Sequence, residues 1–311
     1  MTAENSISRD LLAAKAFFGS AHPLFRAFGI EVDEITQDGS MMSMPCVPDV
    51  CDHDSVLHRG AIATLLDTAC GLSIFVRLGD MRPIATIDLR VDFITMPNRG
   101  EGVFCNVTCF AVEGNVAYVR GEAFGSVGGN LLASVSGSFA IGTAGPSFEK
   151  SIDDSQENKS RPKKSSDAIS IEREGKGGGE DTDKSVDSSQ YAQFLGITAF
   201  NDNGEKKYKM QFREQHIGNP LIKTFHGGII ASFAEIVAGF HVITNQNVHD
   251  NPVCSSMTFD YLRPAFAGTL MAKPKIIREG KRFTVVVVDV SLGTSQVSRG
   301  RFIYKRSLAS S

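Results

Sequence analysis

Two carboxylates interrupt otherwise apolar runs: Asp67, within Gly60 to Leu72, and Glu235, within Gly228 to Val237. A carboxylate in a core helix is costly unless it is paired or used, and an ionised one can act as a general base or a nucleophile. Each apolar run begins at a histidine, His58 or His226. A helix start offers unpaired N–H groups and the positive end of the helix dipole, which suit the oxyanion formed when a carbonyl is attacked. Glycine at such a start lets a substrate approach the backbone closely. Gly227 and Glu235 are eight positions apart, roughly 12 Å along a helix that rises ~1.5 Å per residue. One helix therefore cannot supply both parts of one site, and a site that used both would need the start of one helix beside the acid of another.

The chain contains the two matched helices that this requires. His58 and His226, Asp67 and Glu235, Asp92 and Asp260, and Gly100 and Gly268 are each 168 positions apart, a constant offset that marks an internal duplication. The helices are expected at about His58 to Arg77 and His226 to Val242. They are apolar around most of their circumference (Ile62, Leu65, Leu66, Leu72; Ile229, Ile230, Phe233, Val237) and belong in a core. Each half opens with a strand after Phe28-Gly29-Ile30 or Leu195-Gly196-Ile197. Later strands are expected at about Ile84 to Ile94, Gly102 to Val112, Val116 to Val127 and Leu131 to Ile141. Their counterparts are Val253 to Leu262, Leu270 to Arg278, Phe283 to Leu292 and Gln296 to Tyr304. The expected class is α+β, with one buried helix wrapped by a curved antiparallel sheet, twice over. The expected units are residues 1–142 and 190–311. Between them, residues 143–189 are too polar to offset the entropy of ordering and read as a flexible linker. Ser8 to Ser20 reads as a short amphipathic helix.

Composition narrows the functional classes. The 311 residues carry a formal net charge of −3, so no excess of clustered cations marks a nucleic-acid partner. No apolar run approaches the roughly 18 to 20 residues needed to cross a bilayer, so no membrane partner is expected. Cys46, Cys51, Cys70, Cys105, Cys109 and Cys254 show no CxxC pairing and read as free thiols of a reducing compartment, which places the chain in the cytoplasm. The loop Asp49 to Asp54 is rich in ligand types but lacks a metal-binding spacing, and its counterpart, Glu214 to Asn219, does not repeat it. No metal and no cofactor are expected.

The segments His58-Arg59-Gly60-Ala61-Ile62-Ala63-Thr64-Leu65-Leu66-Asp67 and His226-Gly227-Gly228-Ile229-Ile230-Ala231-Ser232-Phe233-Ala234-Glu235 resemble the His-Gly-Gly helix of hotdog thioesterases, most closely the PaaI-like (phenylacetyl-CoA thioesterase) type. Asn219-Pro220 and Asp260-Tyr261-Leu262-Arg263-Pro264-Ala265 are similar to the same pattern, and Asp92 to Pro97 is a degraded copy. The resemblance covers both halves and implies a tandem double hotdog. It also implies that the helix acid attacks or activates water while an amide at the partner helix start polarises the thioester carbonyl.

Two sites follow from this implication. The first joins Asn219, His226 and Gly227 to Asp67 and Thr86, all matching the family pattern. The second joins Asp52, His58 and Arg59 to Glu235 and Cys254, with an acid at the Asn position and a bulky Arg at the first glycine. His58, Arg59, Gly60 and Gly228 are the candidate substrate contacts. Asp67 is read as general base or nucleophile, and the residues do not separate the two. The implied substrate is a small or medium acyl-CoA thioester, and the implied assembly is a homodimer of the tandem chain. A non-catalytic acyl-CoA-binding protein is the alternative. A hotdog hydratase ranks last, because its Asp/His dyad is missing.

Overall fold

The structure is a computed structural model that describes residues 22–143 and 189–305, apart from 38, 53, 128, 203 and 247–251. The expected helix at Ser8 to Ser20 and nearly all of the expected linker lie outside the described residues.

Among the described residues each half opens with a short helix, α1 (Pro23–Phe28) or α3 (Gln190–Leu195). Each ends on a glycine in the left-handed region, Gly29 at φ 66° and Gly196 at φ 69°, a conformation that costs glycine little. The first half continues through β1 (Glu31–Ile35), β2 (Gly39–Met44), a 3₁₀ turn at Pro48–Val50, the long helix α2 (Arg59–Leu78), β3 (Ile84–Phe93), β4 (Val103–Glu113), β5 (Val116–Gly125) and β6 (Leu131–Ile141). The second half runs through β7 (Ile197–Asp202), β8 (Glu205–Gln211), a 3₁₀ turn at Glu214–His216, β9 (Ile217–Asn219), β10 (Thr224–Phe225), α4 (Gly227–Gln246), β11 (Val253–Tyr261), β12 (Thr269–Glu279), β13 (Phe283–Leu292) and β14 (Ser295–Lys305).

Strand period and burial agree. In β4, Val103, Cys105, Val107 and Cys109 are buried while Asn106 and Phe110 are exposed, as alternation across a sheet with one solvated face requires. The inward faces wrap α2 and α4. Ile62, Leu65, Leu66 and Ile74 of α2 are buried, each contributing about 1.5–3 kcal/mol relative to exposure. By length and composition, α2 and α4 would each suffice to cross a membrane. That corrects the expectation that no run is long enough. Burial of most of each span inside the fold marks them as core helices.

The halves join in a single twelve-stranded sheet of order β1-β2-β4-β5-β6-β3-β11-β14-β13-β12-β8-β7. The seam is the antiparallel β3–β11 ladder, in which Ser256 pairs with Asp92, Thr258 with Arg90 and Asp260 with Asp88. Arg90 and Thr258 are duplicates of each other at the 168-residue offset, so a pseudo-twofold axis passes through that pair. The helices obey the same axis, for Thr64 Oγ1 lies 3.0 Å from Ser232 Oγ, its own duplicate. Gly228 and Gly60 make the crossing close. A Cβ on Gly228 would stand 2.6 Å from Thr64 Cα, and one on Gly60 would stand 3.0 Å from Ser232 Oγ.

The sequence reading placed the long helices and the four later strands of each half within a few residues, and it contained no β9 or β10. It contained no α1 or α3, because six residues make too little periodic pattern to read.

Candidate active site

The antiparallel seam carries the start of α4 across to the middle of α2. His58 and His226 cap the two long helices: Nδ1 of His58 accepts from Gly60 N–H (3.0 Å), and Nδ1 of His226 accepts from Gly228 N–H (3.1 Å). The Gly228 N–H also donates to Asp67 Oδ2 at 2.7 Å, across 161 positions of sequence. Thr86 on β3 donates its hydroxyl to Asp67 Oδ1 at 3.2 Å. The carboxylate is thereby fixed through both oxygens.

Asp67 is buried. Desolvation pushes its carboxyl up to about 6, with the Gly228 N–H and the Thr86 hydroxyl opposing part of that rise. His226 Nδ1 lies 3.4 Å from Asp67 Oδ2, but burial lowers the imidazole to about 4. The contact is therefore not an ion pair near neutral pH. The network assigns the tautomer: Nδ1 accepts from Gly228, so Nε2 carries the proton toward Thr68 Oγ1 at 3.3 Å. Thr68 in turn donates to Thr64 O at 2.7 Å.

Gly227 is the first residue of α4. Its carbonyl accepts from Tyr261 Oη at 2.9 Å, and among the described residues its N–H meets no acceptor. A Cβ at this position would fall 2.8 Å from Asp67 Oδ2, 3.3 Å from Tyr261 Cε1 and 3.4 Å from Thr86 Oγ1. The glycine thus keeps open the gap between the acid and the helix start. Asn219, at the end of β9, uses Oδ1 to accept from Leu221 N–H at 2.9 Å, so any hydrogen bond it donates comes from Nδ2.

Asp67, Thr86, Asn219, His226 and Gly227 line one cavity of about 480 Å³, walled by apolar groups that include Phe25, Phe75, Ile84 and Phe139. The structure brings together all five members of the first expected site. Tyr261, which lines the same cavity, was part of a recognised sequence motif but was not singled out as a site residue.

The other candidates lie elsewhere. Glu235 is buried, which raises its carboxyl, while His58 and Arg59 oppose the rise. His58 Nδ1 is 3.8 Å from its Oε2, and Tyr304 Oη donates to its Oε1 at 3.2 Å and to its backbone oxygen at 2.7 Å. Arg59 is buried with its guanidinium 5.5 Å from the centre of the Phe93 ring. Gly60 and Gly228, expected against substrate, turn their α-carbons to the opposite long helix. Their role is close packing, although the Gly228 amide still reaches Asp67. The His58 ring lies tilted by 36° against Tyr191, with centroids 4.8 Å apart.

Register shows how the two constellations differ beside their acids. On β3, Thr86 faces Phe139, and on β11 its duplicate Cys254 faces Tyr304, so Phe139 and Tyr304 are equivalent. Gly227 likewise corresponds to Arg59, and Tyr261 to Phe93. Where the Asp67 site has a glycine and a phenylalanine, the Glu235 site has a buried arginine and a tyrosine bonded to the acid. The loops differ as well. His58 N–H bonds Val50 O and His226 N–H bonds His216 O, which equates Asp52 with Gly218 rather than Asn219. The expectation of an acid at the Asn position is corrected by this two-residue difference in loop length. Among the described residues no group of three or more His, Cys, Asp or Glu is placed to hold a metal.

This architecture, a core helix in each half with one shared antiparallel sheet, is a tandem hotdog fold. Residues 54–130 and 223–298 each match the family model of the thioesterase superfamily, and the chain belongs to that superfamily. A stretch of 92 residues, 29% of the chain, is 33% identical to a Saccharolobus solfataricus protein named as an esterase. The match spans 57% of that relative's length. Two crystal structures share the fold at low identity. One is a hot dog fold protein of unknown function from Alicyclobacillus acidocaldarius (TM-score 0.61, 9% identity, 93% of this chain and 100% of that one). The other is acyl-CoA thioesterase II of Mycobacterium marinum (TM-score 0.53, 11% identity, 90% and 96%).

Proposed function

We propose that the chain hydrolyses small or medium acyl-CoA thioesters at the Asp67 site, as a cytoplasmic enzyme of the phenylacetyl-CoA thioesterase type that pairs into a homodimer. The observation that carries this reading is the meeting of a doubly held, buried carboxylate with an unpaired helix N-terminal amide at one apolar cavity. The acyl group occupies the cavity, and its carbonyl oxygen receives the Gly227 N–H. Negative charge that develops on that oxygen is stabilised by the amide and the helix dipole.

Asp67 then acts in one of two ways. As general base it takes a proton from water, and the hydroxide forms the new C–O bond. As nucleophile it forms an anhydride that water opens. In both cases the C–S bond breaks and the electron pair leaves on sulfur. A thiol of ordinary pKa, about 8.5, departs without strong acid help. His226 stays neutral and holds the helix start in place. A carboxyl near 6 is ionised at neutral pH yet basic enough to accept a proton, the compromise that favours general-base work.

The test is thiol release from a panel of short, medium and aryl acyl-CoAs, followed across pH. Asp67 must be ionised to act, so the rate rises with pH, passes half-maximum near pH 6 and levels off above it. A profile flat from pH 5 to 8, or no release with any member of the panel, contradicts this reading.

A further inference from the structure

Outside the catalytic cavity, one pair of nucleophilic side chains stands apart from the rest of the molecule. Cys46 follows β2 and Cys51 follows the 3₁₀ turn at Pro48–Val50, and their sulfurs are 2.9 Å apart. Turn hydrogen bonds bring them together: Val50 N–H to Val47 O (3.1 Å) and Cys51 N–H to Pro48 O (3.2 Å). The remaining thiols, Cys70, Cys105, Cys109 and Cys254, are buried. The duplicated half offers no copy of the arrangement, since the residues matching Cys46 and Cys51 around its 3₁₀ turn are Phe212 and Ile217.

We propose that Cys46 and Cys51 are an oxidant-responsive dithiol that closes into a disulfide on exposure to hydrogen peroxide. Cys46 is part-exposed while Cys51 is buried, so Cys46 is the sulfur that an oxidant reaches. Its thiolate attacks the peroxide oxygen, the O–O bond breaks, and a sulfenic acid forms as water leaves. Cys51 gives up its proton and attacks that sulfur, the S–S bond forms, and a second water leaves. Two thiols are oxidised and one peroxide is reduced. Closure to a bond of about 2.05 Å asks the sulfurs to move by less than an ångström, within a turn whose ends already meet. Burial and the adjacent Cys46 hold the Cys51 thiol well above its ordinary range. Cys51 is therefore not the thiol that an oxidant reaches first.

The surroundings give the bond something to act on. Cys46 Sγ lies 3.4 Å from Ser55 O. Ser55 holds a left-handed backbone at φ 56°, and its carbonyl accepts from Gly100 N–H. Cys51 bridges to Leu57, the residue before the His58 cap, and the 3₁₀ turn packs against α3 of the other half. A disulfide here would brace the loop that leads into α2 and one contact between the halves. It does not enter the Asp67 cavity.

The experiment is intact-mass and peptide mapping of the full chain after a pulse of hydrogen peroxide and alkylation of the remaining thiols. Cys46 and Cys51 fall in one tryptic peptide, residues 27–59. The expected result is that this peptide escapes alkylation and is lighter by two hydrogens, and that dithiothreitol restores both thiols. Cys51→Ser should instead leave a sulfenic acid at Cys46 that a dimedone probe traps. Six alkylatable thiols after peroxide, a lost pair that maps elsewhere, or the same loss in a folded Cys46→Ser chain would overturn the proposal.

Discussion

Asp67→Asn lowers the rate of thiol release by about 10²–10⁴-fold, the usual contribution of a positioned acid–base group, and makes the folded chain more stable. Both effects have one cause. The side chain is buried and its carboxyl is raised to about 6 from 3.8, so the fold prefers the neutral form. A group with a raised folded pKa contributes stability that is complete below its unfolded pKa and is lost as pH rises through the folded one. Between about pH 4 and 6 the ionised carboxylate thus loses about 3 kcal/mol at 1.36 kcal/mol per unit. An amide keeps the acceptor for Gly228 N–H without that loss. Glu235→Gln leaves thiol release near that of the unaltered chain, because Tyr304 is bonded to Glu235 and a buried arginine, Arg59, stands where the Asp67 site has Gly227. Steady-state thiol release and thermal unfolding at pH 7.5 check both parts. An Asp67→Asn chain that is folded and fully active refutes the assignment.

Gly227→Ala costs about 10²-fold in kcat with the fold intact. The added carbon would lie 2.8 Å from Asp67 Oδ2 and 3.3 Å from the Tyr261 ring, so the carboxylate must shift. A misplacement of about 1 Å is enough for a loss of that size. The other half of the molecule carries a more extreme version of the same change, since Arg59 stands at the duplicate position and is packed on Phe93. The effect should fall on kcat more than on KM, because the cavity walls of Phe25, Phe75 and Phe139 are unaltered. Single-turnover thiol release separates the two terms, and a variant with unchanged kcat would show that the helix start does not serve the reaction.

How much of this was legible in the sequence depends on whether the signal was local or lay across the sheet. The duplication, the core helices and the acids inside them were readable because a 168-residue offset and a 3.6-residue period are properties of the chain itself. The pairing of Asp67 with Gly227 followed from the two roles that the thioesterase resemblance implies together with helix length, since eight residues of helix separate those roles within one half. Phe139 and Tyr304 were not readable. Their equivalence depends on which residue faces Thr86 and which faces Cys254 across neighbouring strands, and β-bulges break the simple offset there. The packing role of Gly60 and Gly228 was hidden for a similar reason: a glycine pair at a helix start looks like a substrate contact until the second helix is in place. The loop before α2 misled by two residues of length, which moved Asp52 away from the position matched to Asn219.

Calorimetric titration of the chain with a non-hydrolysable thioether analogue of a medium-chain acyl-CoA tests the central asymmetry most directly. A glycine at the start of one long helix and a buried arginine at the start of the other predict one analogue bound per chain, with binding lost when Gly227 is replaced by Arg and kept when Glu235 is replaced by Gln. Two analogues per chain, or binding that survives Gly227→Arg and fails with Glu235→Gln, would contradict the account.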